Sequence, residues 1–80
     1  MYGLFFDCLE KYATKSFGMP AWREVIKRAD VGGGISKWVT NENYPDETFM
    51  KLATLLAFEN DVAFDALVEE LGIFFTTFIR

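Results

Sequence analysis

Histidine is absent from this sequence of 80 residues, and cysteine occurs once, as Cys8. Without histidine, Cys8, Ser16 and Ser36 have no ordinary general base, so we expect no nucleophilic catalysis and no enzyme activity of the chain itself. A zinc site built from cysteine and histidine is excluded for the same reason. The single cysteine excludes an internal disulfide and fits a reducing, cytoplasmic setting. We expect Cys8 to be a buried, unreactive thiol.

Long apolar runs are also missing. The uncharged stretch Leu71 to Ile79 is much shorter than the ~20 residues that a membrane span needs. Asp7 and Glu10 interrupt the apolar start, which therefore does not read as a signal peptide. The sequence thus predicts neither a membrane segment nor a secretory leader.

The negative charge is unevenly placed. Residues 1–40 carry six basic and four acidic groups, a net of +2, and residues 41–80 carry two basic and eight acidic groups, a net of −6, which gives the total of −4. The acidic half argues against nucleic acid as a partner. The opposite signs favour docking of the two halves, although exposed charges are individually weak.

Aromatic side chains, in contrast, are abundant. The chain is 51% hydrophobic and 18% aromatic, which excludes intrinsic disorder. Burial on folding should contribute ~125 kcal/mol, and ordering the chain should cost ~120 kcal/mol. Because these terms nearly cancel, we expect the chain to rely on a partner, a cofactor or the rest of a larger domain.

Apolar residues recur at helical spacing in four segments. The sequence therefore predicts an all-α fold, a single domain over residues 1–80 built as a small bundle of four to five helices. A fifth helix would follow if Gly72 breaks the last segment. The predicted stripes are Phe6, Leu9, Ala13 and Phe17, with Phe5 and Tyr12 beside them; Trp22, Val25, Ile26 and Ala29; Phe49, Leu52, Ala53 and Leu56; and Phe64, Leu67, Val68 and Leu71, continued by Phe74, Phe75 and Phe78.

Helix boundaries follow from glycine, proline and acidic residues. Gly18 should close the first helix, and Pro20 should lie in the first turn of the second. Pro45 and the acids after it should begin the third helix. Asn60 or Asp61 should cap the last one.

Two polar segments have both a chemical and a structural interpretation. GGGISK, residues 32–37, could hold a phosphate, but the P-loop spacing is absent and a helix precedes it, so a flexible connection is favoured, with a short extended piece at 35–40. The acids around the last helix could bind a divalent ion, but they lack calcium-loop spacing, so a cap and a solvated face are favoured. These acids are Glu59, Asp61, Asp65, Glu69 and Glu70.

Four motifs follow one another along the whole chain: MYGLFFDCL, then FGMPAW, then Tyr44, Asp46, Lys51 and Leu52, then LGIFFTTF. Together they resemble the N-terminal part of the haem–nitric oxide binding (H-NOX) domain, the haem sensor of soluble guanylate cyclases and bacterial gas sensors. The Tyr2 opening is closer to the cyclase branch. Met19, Pro20, the triple glycine and Leu71 depart from the family pattern.

The resemblance implies a nitric oxide sensor that belongs to a cGMP signalling protein. Residues matching the distal side of the family's haem pocket are Tyr2, Phe5 and Leu9 in the first helix and Phe75 and Phe78 in the last. The family's iron-ligating histidine and its Tyr-x-Ser-x-Arg motif are not in this sequence. We therefore expect the helical subdomain of an incomplete H-NOX domain, a fragment or degenerate relative whose own haem binding is doubtful.

The implied partners are haem, nitric oxide and either the remainder of the H-NOX domain or a partner subunit. The alternative is a cofactor-free helical module that binds a partner helix, or a second copy of itself, through its C-terminal aromatics.

Overall fold

The computed structural model describes residues 2–29 and 43–78, with the side chain of Phe78 outside the description. Four α-helices make up this part of the chain: α1 (Gly3–Ser16), α2 (Met19–Ala29), α3 (Asp46–Glu59) and α4 (Phe64–Phe78). No strand occurs within the described ranges; an isolated antiparallel bridge joins Tyr2 to Asn43. The predicted all-α bundle is confirmed, with four helices rather than five.

The turn between α1 and α2 is formed as the sequence predicts. Phe17 is the C-cap of α1, and the N–H of Gly18 donates to the Thr14 carbonyl at 3.1 Å. Gly18 has φ +94°, a left-handed conformation that glycine adopts without a steric penalty. Pro20 is the second residue of α2, where its missing N–H removes no helical hydrogen bond.

Helix α3 begins where proline and acids predict. Pro45 is its N-cap, and Asp46 and Glu47 occupy the first turn, where their negative charges interact favourably with the helix dipole.

Helix α4, however, begins later than expected. Asn60 is the C-cap of α3, and its side-chain amide donates to the Leu56 carbonyl at 2.8 Å.

The prediction that Asn60 or Asp61 caps the last helix is therefore wrong. Asp61 has φ 56°, a left-handed turn conformation that aspartate tolerates, and the first residue of α4 is Phe64. The fifth helix is also not found, because α4 runs through Gly72 to Phe78. The predicted break after Ala29, the GGGISK connection and the extended piece at 35–40 lie outside the described residues.

The core lies where the four stripes meet. Helix α2 packs on α1 and α3, and α4 packs on the same two helices. Several predicted stripe residues are less buried than expected. Val68 is 44% exposed and Phe5 is 37% exposed. Those that only pack against the core are Phe17, Phe49, Phe64, Phe74 and Phe75. The largest fully buried side chains are Trp22, Phe6, Leu9, Leu52, Leu56, Leu67, Val25 and Cys8.

No helix in the described ranges is long and apolar enough to cross a membrane.

Two neighbouring positions on α3 test this core. Leu56 is fully buried and Phe58 is 79% exposed. Leu56→Ala should lower the free energy of unfolding by ~2–5 kcal/mol, through lost burial and the cavity left behind. Phe58→Ala should change it by less than ~0.5 kcal/mol. Urea denaturation followed by circular dichroism measures both, and similar costs for the two variants would contradict the packing described.

Candidate functional site

An apolar groove runs between α1 and α4. Its volume is about 220 Å³, and it is open to solvent on one side. Enclosed sites for small ligands occupy ~300–1,000 Å³. The groove can therefore cover only part of such a ligand, as one wall of a larger pocket. It is lined by Phe5, Cys8, Val68, Leu71, Gly72 and Phe75.

Two aromatic rings in the lining of this groove stack on each other. The ring centroids of Phe5 and Phe75 are 5.0 Å apart and their planes differ by 22°, a stacked arrangement. Phe5 is 37% exposed and Phe75 is partly buried against the core. Stacked aromatic pairs of this geometry contribute more than their buried area alone. The pair joins α1 to α4 and still leaves ring surface available.

The buried stripe of α4 places these groups. Leu67 is fully buried and Leu71 is 9% exposed, so this side of α4 lies against the bundle. Val68, Gly72 and Phe75 follow at helical spacing beside that stripe, which brings all three to one flank of the helix. The groove is thus a direct result of where the helical period places the two leucines.

The five residues predicted from the sequence do not share one environment. Phe5 and Phe75 meet in the groove. Tyr2 is 55% exposed and its carbonyl accepts the Phe5 N–H at 3.0 Å, whereas Leu9 is fully buried in the core. Phe78 is the last residue of α4, and its side chain lies outside the described part. Of the five predicted residues, Phe5 and Phe75 are therefore the two that line the groove.

Sequence reasoning missed four groove residues, namely Cys8, Val68, Leu71 and Gly72. A signal for three of them was present, because positions 68, 71 and 72 precede Phe75 by seven, four and three residues and so share its helix face. Cys8 follows Phe5 by three residues on α1, which gives the same signal.

Cys8 lies at the base of the groove with 2% of its surface exposed. Burial, together with the nearby Asp7 carboxylate, raises the pKa of its thiol from 9.0 to about 11. The thiolate is the nucleophilic and metal-binding form of cysteine, and it is scarce at neutral pH under these conditions. The prediction of a buried thiol is confirmed, and Cys8 adds apolar surface to the groove.

The opposite flank of α4 carries mixed chemistry. The Tyr12 hydroxyl donates to Glu70 Oε2 at 3.5 Å, and Lys15 Nζ lies 5.9 Å from the centre of the Phe74 ring. Burial, and then the Glu70 charge, raise the pKa of Tyr12. These contacts surround a groove of about 530 Å³ in which Ser16 and Thr77 also take part. Its charged and hydroxyl groups suit a polar ligand better than a flat apolar one.

A third groove, of about 710 Å³, has four charged residues in its lining. Arg28 lines it together with Asp46, Glu47 and Lys51. The groove between α1 and α4 is smaller than either, yet its lining is apolar throughout except for the Cys8 thiol. Because apolar linings with few polar groups are typical of small-molecule sites, it is the candidate site.

Two of the acidic residues around α4 contact other side chains of the bundle. Glu59 Oε2 pairs with Arg28 Nε at 3.2 Å, and Glu70 accepts from Tyr12. Asp61, Asp65 and Glu69 are exposed. Within residues 2–29 and 43–78, no group of three or more potential metal ligands occurs together.

Comparison with protein families gives a match over nearly the whole chain. The family model described as Haem-NO-binding matches residues 2–80. The matched range includes both helices that form the groove and the four motifs from Tyr2 of the opening motif to LGIFFTTF. Comparisons with curated proteins and with solved structures gave no match.

The chemistry of Cys8 can be tested by alkylation. With a pKa of about 11 against the ordinary 9.0, native Cys8 should react with iodoacetamide at pH 8 at least about 100-fold more slowly than Cys8 in the urea-unfolded chain. The native rate should rise as the pH approaches 11, because the thiolate fraction rises there. Mass spectrometry at timed intervals measures both rates. A native rate within tenfold of the unfolded one would contradict the buried position.

Proposed function

The chain belongs to the haem-NO-binding family, and from that premise we propose that its helices form the distal wall of the haem pocket in a nitric oxide sensor. The observation that carries the proposal is the apolar groove between α1 and α4, with Phe5 and Phe75 stacked in it. A porphyrin is a large, flat and mostly apolar group. One face of it would cover surface that the described residues leave open to solvent.

The groove fits one face of haem but supplies no ligand for the iron. The sequence has no histidine. Cys8 is buried and protonated at neutral pH, so a thiolate ligand from this position is disfavoured. The proposal therefore assigns iron ligation to a group outside these 80 residues, in the remainder of the domain or in a partner subunit.

The wall residues would act by shape and by low polarity. Bound haem supplies an iron that binds nitric oxide. Among the groove-lining residues the Cys8 thiol is the sole hydrogen-bonding side chain, and it is a weak donor. Phe5 and Phe75 would exclude water and offer no hydrogen bond to a bound gas. Such a wall gives oxygen little polar support, whereas nitric oxide needs less.

The proposal gives a different role to each of the other three residues implied by the resemblance. Tyr2, with an exposed side chain at the start of α1, would be the hydroxyl-bearing member of the implied set. Leu9 would support α1 from the core, where it is fully buried. Phe78 would extend the wall beyond Phe75 along α4.

The wider setting that we propose is cytoplasmic signalling. In a guanylate cyclase-like protein, the helical subdomain would shift against the haem-bearing half on binding of nitric oxide and so change cGMP production. The free thiol of Cys8 is compatible with a reducing compartment.

A second candidate function is a cofactor-free interaction module. Ile73 is 65% exposed and Val68 is 44% exposed, both on α4. A partner helix or a second copy of the chain would cover them. This candidate predicts self-association, or partner binding, that is indifferent to porphyrin.

Porphyrin titration separates the two functions. The 80-residue chain should bind haemin, followed by its Soret band, and iron-free protoporphyrin IX, followed by fluorescence, only weakly, because it supplies one wall of the pocket and no iron ligand. Phe5→Ala should weaken both by ~10–100-fold, the equivalent of ~1.4–3 kcal/mol for a lost ring contact. Phe58→Ala removes an equally large but 79% exposed ring on α3 and should leave binding unchanged.

Circular dichroism checks that each variant remains folded. If the wild-type chain binds neither porphyrin and sediments as a dimer, the sensor proposal fails and the interaction module is supported. If the Phe5 and Phe58 variants lose affinity equally, binding occurs elsewhere than in the groove.

A further inference from the structure

Phe74 and Phe75 are neighbours near the end of α4, but they contact α1 at two separate places. The Phe75 ring stacks on Phe5, with 5.0 Å between the ring centroids. The Phe74 ring meets Tyr12 edge to face, with the centroids 5.8 Å apart and the ring planes at 62°. Phe5 and Tyr12 are two turns of α1 apart, which is about 10 Å along the helix axis. Helix α4 therefore contacts α1 through two rings at well-separated points.

The two rings lie on opposite flanks of the buried stripe of α4. Successive residues of an α-helix are rotated by ~100° about its axis, so Phe74 and Phe75 stand on either side of Leu71. Phe75 lines the groove between α1 and α4, and Phe74 lines the groove on the other flank. A rotation of α4 about its axis would pull one ring away from its partner and press the other ring against its partner. The two ring contacts together therefore restrict the rotation that the buried leucines allow.

Tyr12 is held more firmly than Phe5. It is 4% exposed, whereas Phe5 is 37% exposed. Its ring also meets the Phe17 ring edge to face, with 6.0 Å between the centroids. Its hydroxyl donates to Glu70 Oε2 at 3.5 Å, a long bond that reaches α4 one turn before Phe74. Because it is enclosed on these sides, Tyr12 provides a fixed surface against which Phe74 packs.

We propose that Tyr12 is a positioning residue of the distal wall: by holding Phe74 on one flank of α4, it keeps Phe75 stacked on Phe5 on the other flank. The role of the wall rests on the proposed function, whereas the positioning itself concerns contacts within the chain. Without the Tyr12 ring, α4 is free to turn toward the emptied space, and the Phe75 ring moves away from Phe5. The wall then loses its shape although every groove residue is still present.

Two substitutions at Tyr12 separate the effect of its ring from that of its hydroxyl. Tyr12→Leu fills much of the space but removes the ring contacts. It should remove the nuclear Overhauser contact between the ring protons of Phe5 and Phe75. It should also weaken binding of iron-free protoporphyrin IX by about tenfold, the upper range for a lost aromatic pair. Tyr12→Phe keeps the ring and loses only the long bond to Glu70, so it should retain the ring-to-ring contact and bind within about twofold of the wild type.

Val25→Ala is the matched control for a general loss of stability. Val25 is fully buried on α2, which packs on α1 and α3. The substitution should lower Tm, because it leaves a cavity in the core. It should nevertheless retain the contact between the Phe5 and Phe75 rings and the porphyrin affinity of the folded chain. Circular dichroism gives a temperature at which every variant is folded, and the NMR spectra and fluorescence titrations are recorded there.

A double substitution tests whether Tyr12 acts through Phe75. In a Phe75→Ala background the ring that Tyr12 positions is already missing. Tyr12→Leu should therefore weaken porphyrin binding by no more than about twofold in that background, because residues that act through one contact are not additive. A tenfold loss in both backgrounds would mean that Tyr12 acts by another route, and it would overturn the inference.

The remaining outcomes keep this inference separate from the function on which it rests. If the wild-type chain binds no porphyrin, the proposed function fails, and the NMR comparison still decides whether Tyr12 positions Phe75. If Tyr12→Leu retains the contact between the Phe5 and Phe75 rings, the inference is overturned even in a chain that binds porphyrin. It is also overturned if Tyr12→Phe or Val25→Ala loses that contact, because the effect then does not come from the Tyr12 ring.

Discussion

The burial of Leu67 and Leu71 holds α4 against the bundle, and the rest of the site depends on that contact. These are the two buried side chains of α4, at 0% and 9% exposure, among the residues whose burial is described. A fully buried leucine contributes about 1.5–3 kcal/mol. Gly72 and Phe75 follow Leu71 by one and four residues, so the burial that fixes the rotation of α4 also turns them toward Phe5. A shift of the helical phase would remove the groove.

Charge has a smaller part in this arrangement. The two oppositely charged halves of the sequence are joined by an ion pair, from Arg28 Nε on α2 to Glu59 Oε2 on α3 at 3.2 Å. Arg28 also pairs with Glu24 on its own helix at 3.0 Å. Both pairs are partly exposed, and pairs of this kind contribute about 0–1 kcal/mol. The predicted attraction between the halves therefore exists in the structure, but apolar burial outweighs it.

The fold was predictable because each helix carries a full apolar stripe. Gly18, Pro20 and Pro45 act through their own backbone chemistry, so three boundaries needed no tertiary information. The start of α4 was not predictable in that way. Asn60 and Asp61 are residues that commonly cap the start of a helix. Here, however, both belong to the turn that ends α3: Asn60 is its C-cap, and Asp61 has a left-handed conformation.

The site was predictable only in part. The resemblance indicated Phe5 and Phe75, and the structure stacks their rings, which no spacing on a single helix could specify, since they are 70 positions apart. Leu9 shares a helix with Phe5 but is fully buried, because the exposure of a residue near the edge of a stripe depends on which helix packs beside it. The place of Gly72 in the groove lining could be found only from the packing of α1 against α4. Its neighbours come from α1 as well as from α4.

Exposed apolar side chains alone would not identify this surface. Phe58 on α3, at 79%, is more exposed than Phe5 or Val68 in the groove, and exposed apolar residues of this kind are scattered over most proteins. What distinguishes the flank of α4 is that several local rules are broken at one place. A helix-breaking residue sits in open space, Val68 is 44% exposed, and a stacked ring pair stands next to both. Natural sequences are locally consistent except where function opposes stability, so the coincidence indicates a surface kept free for something that covers it.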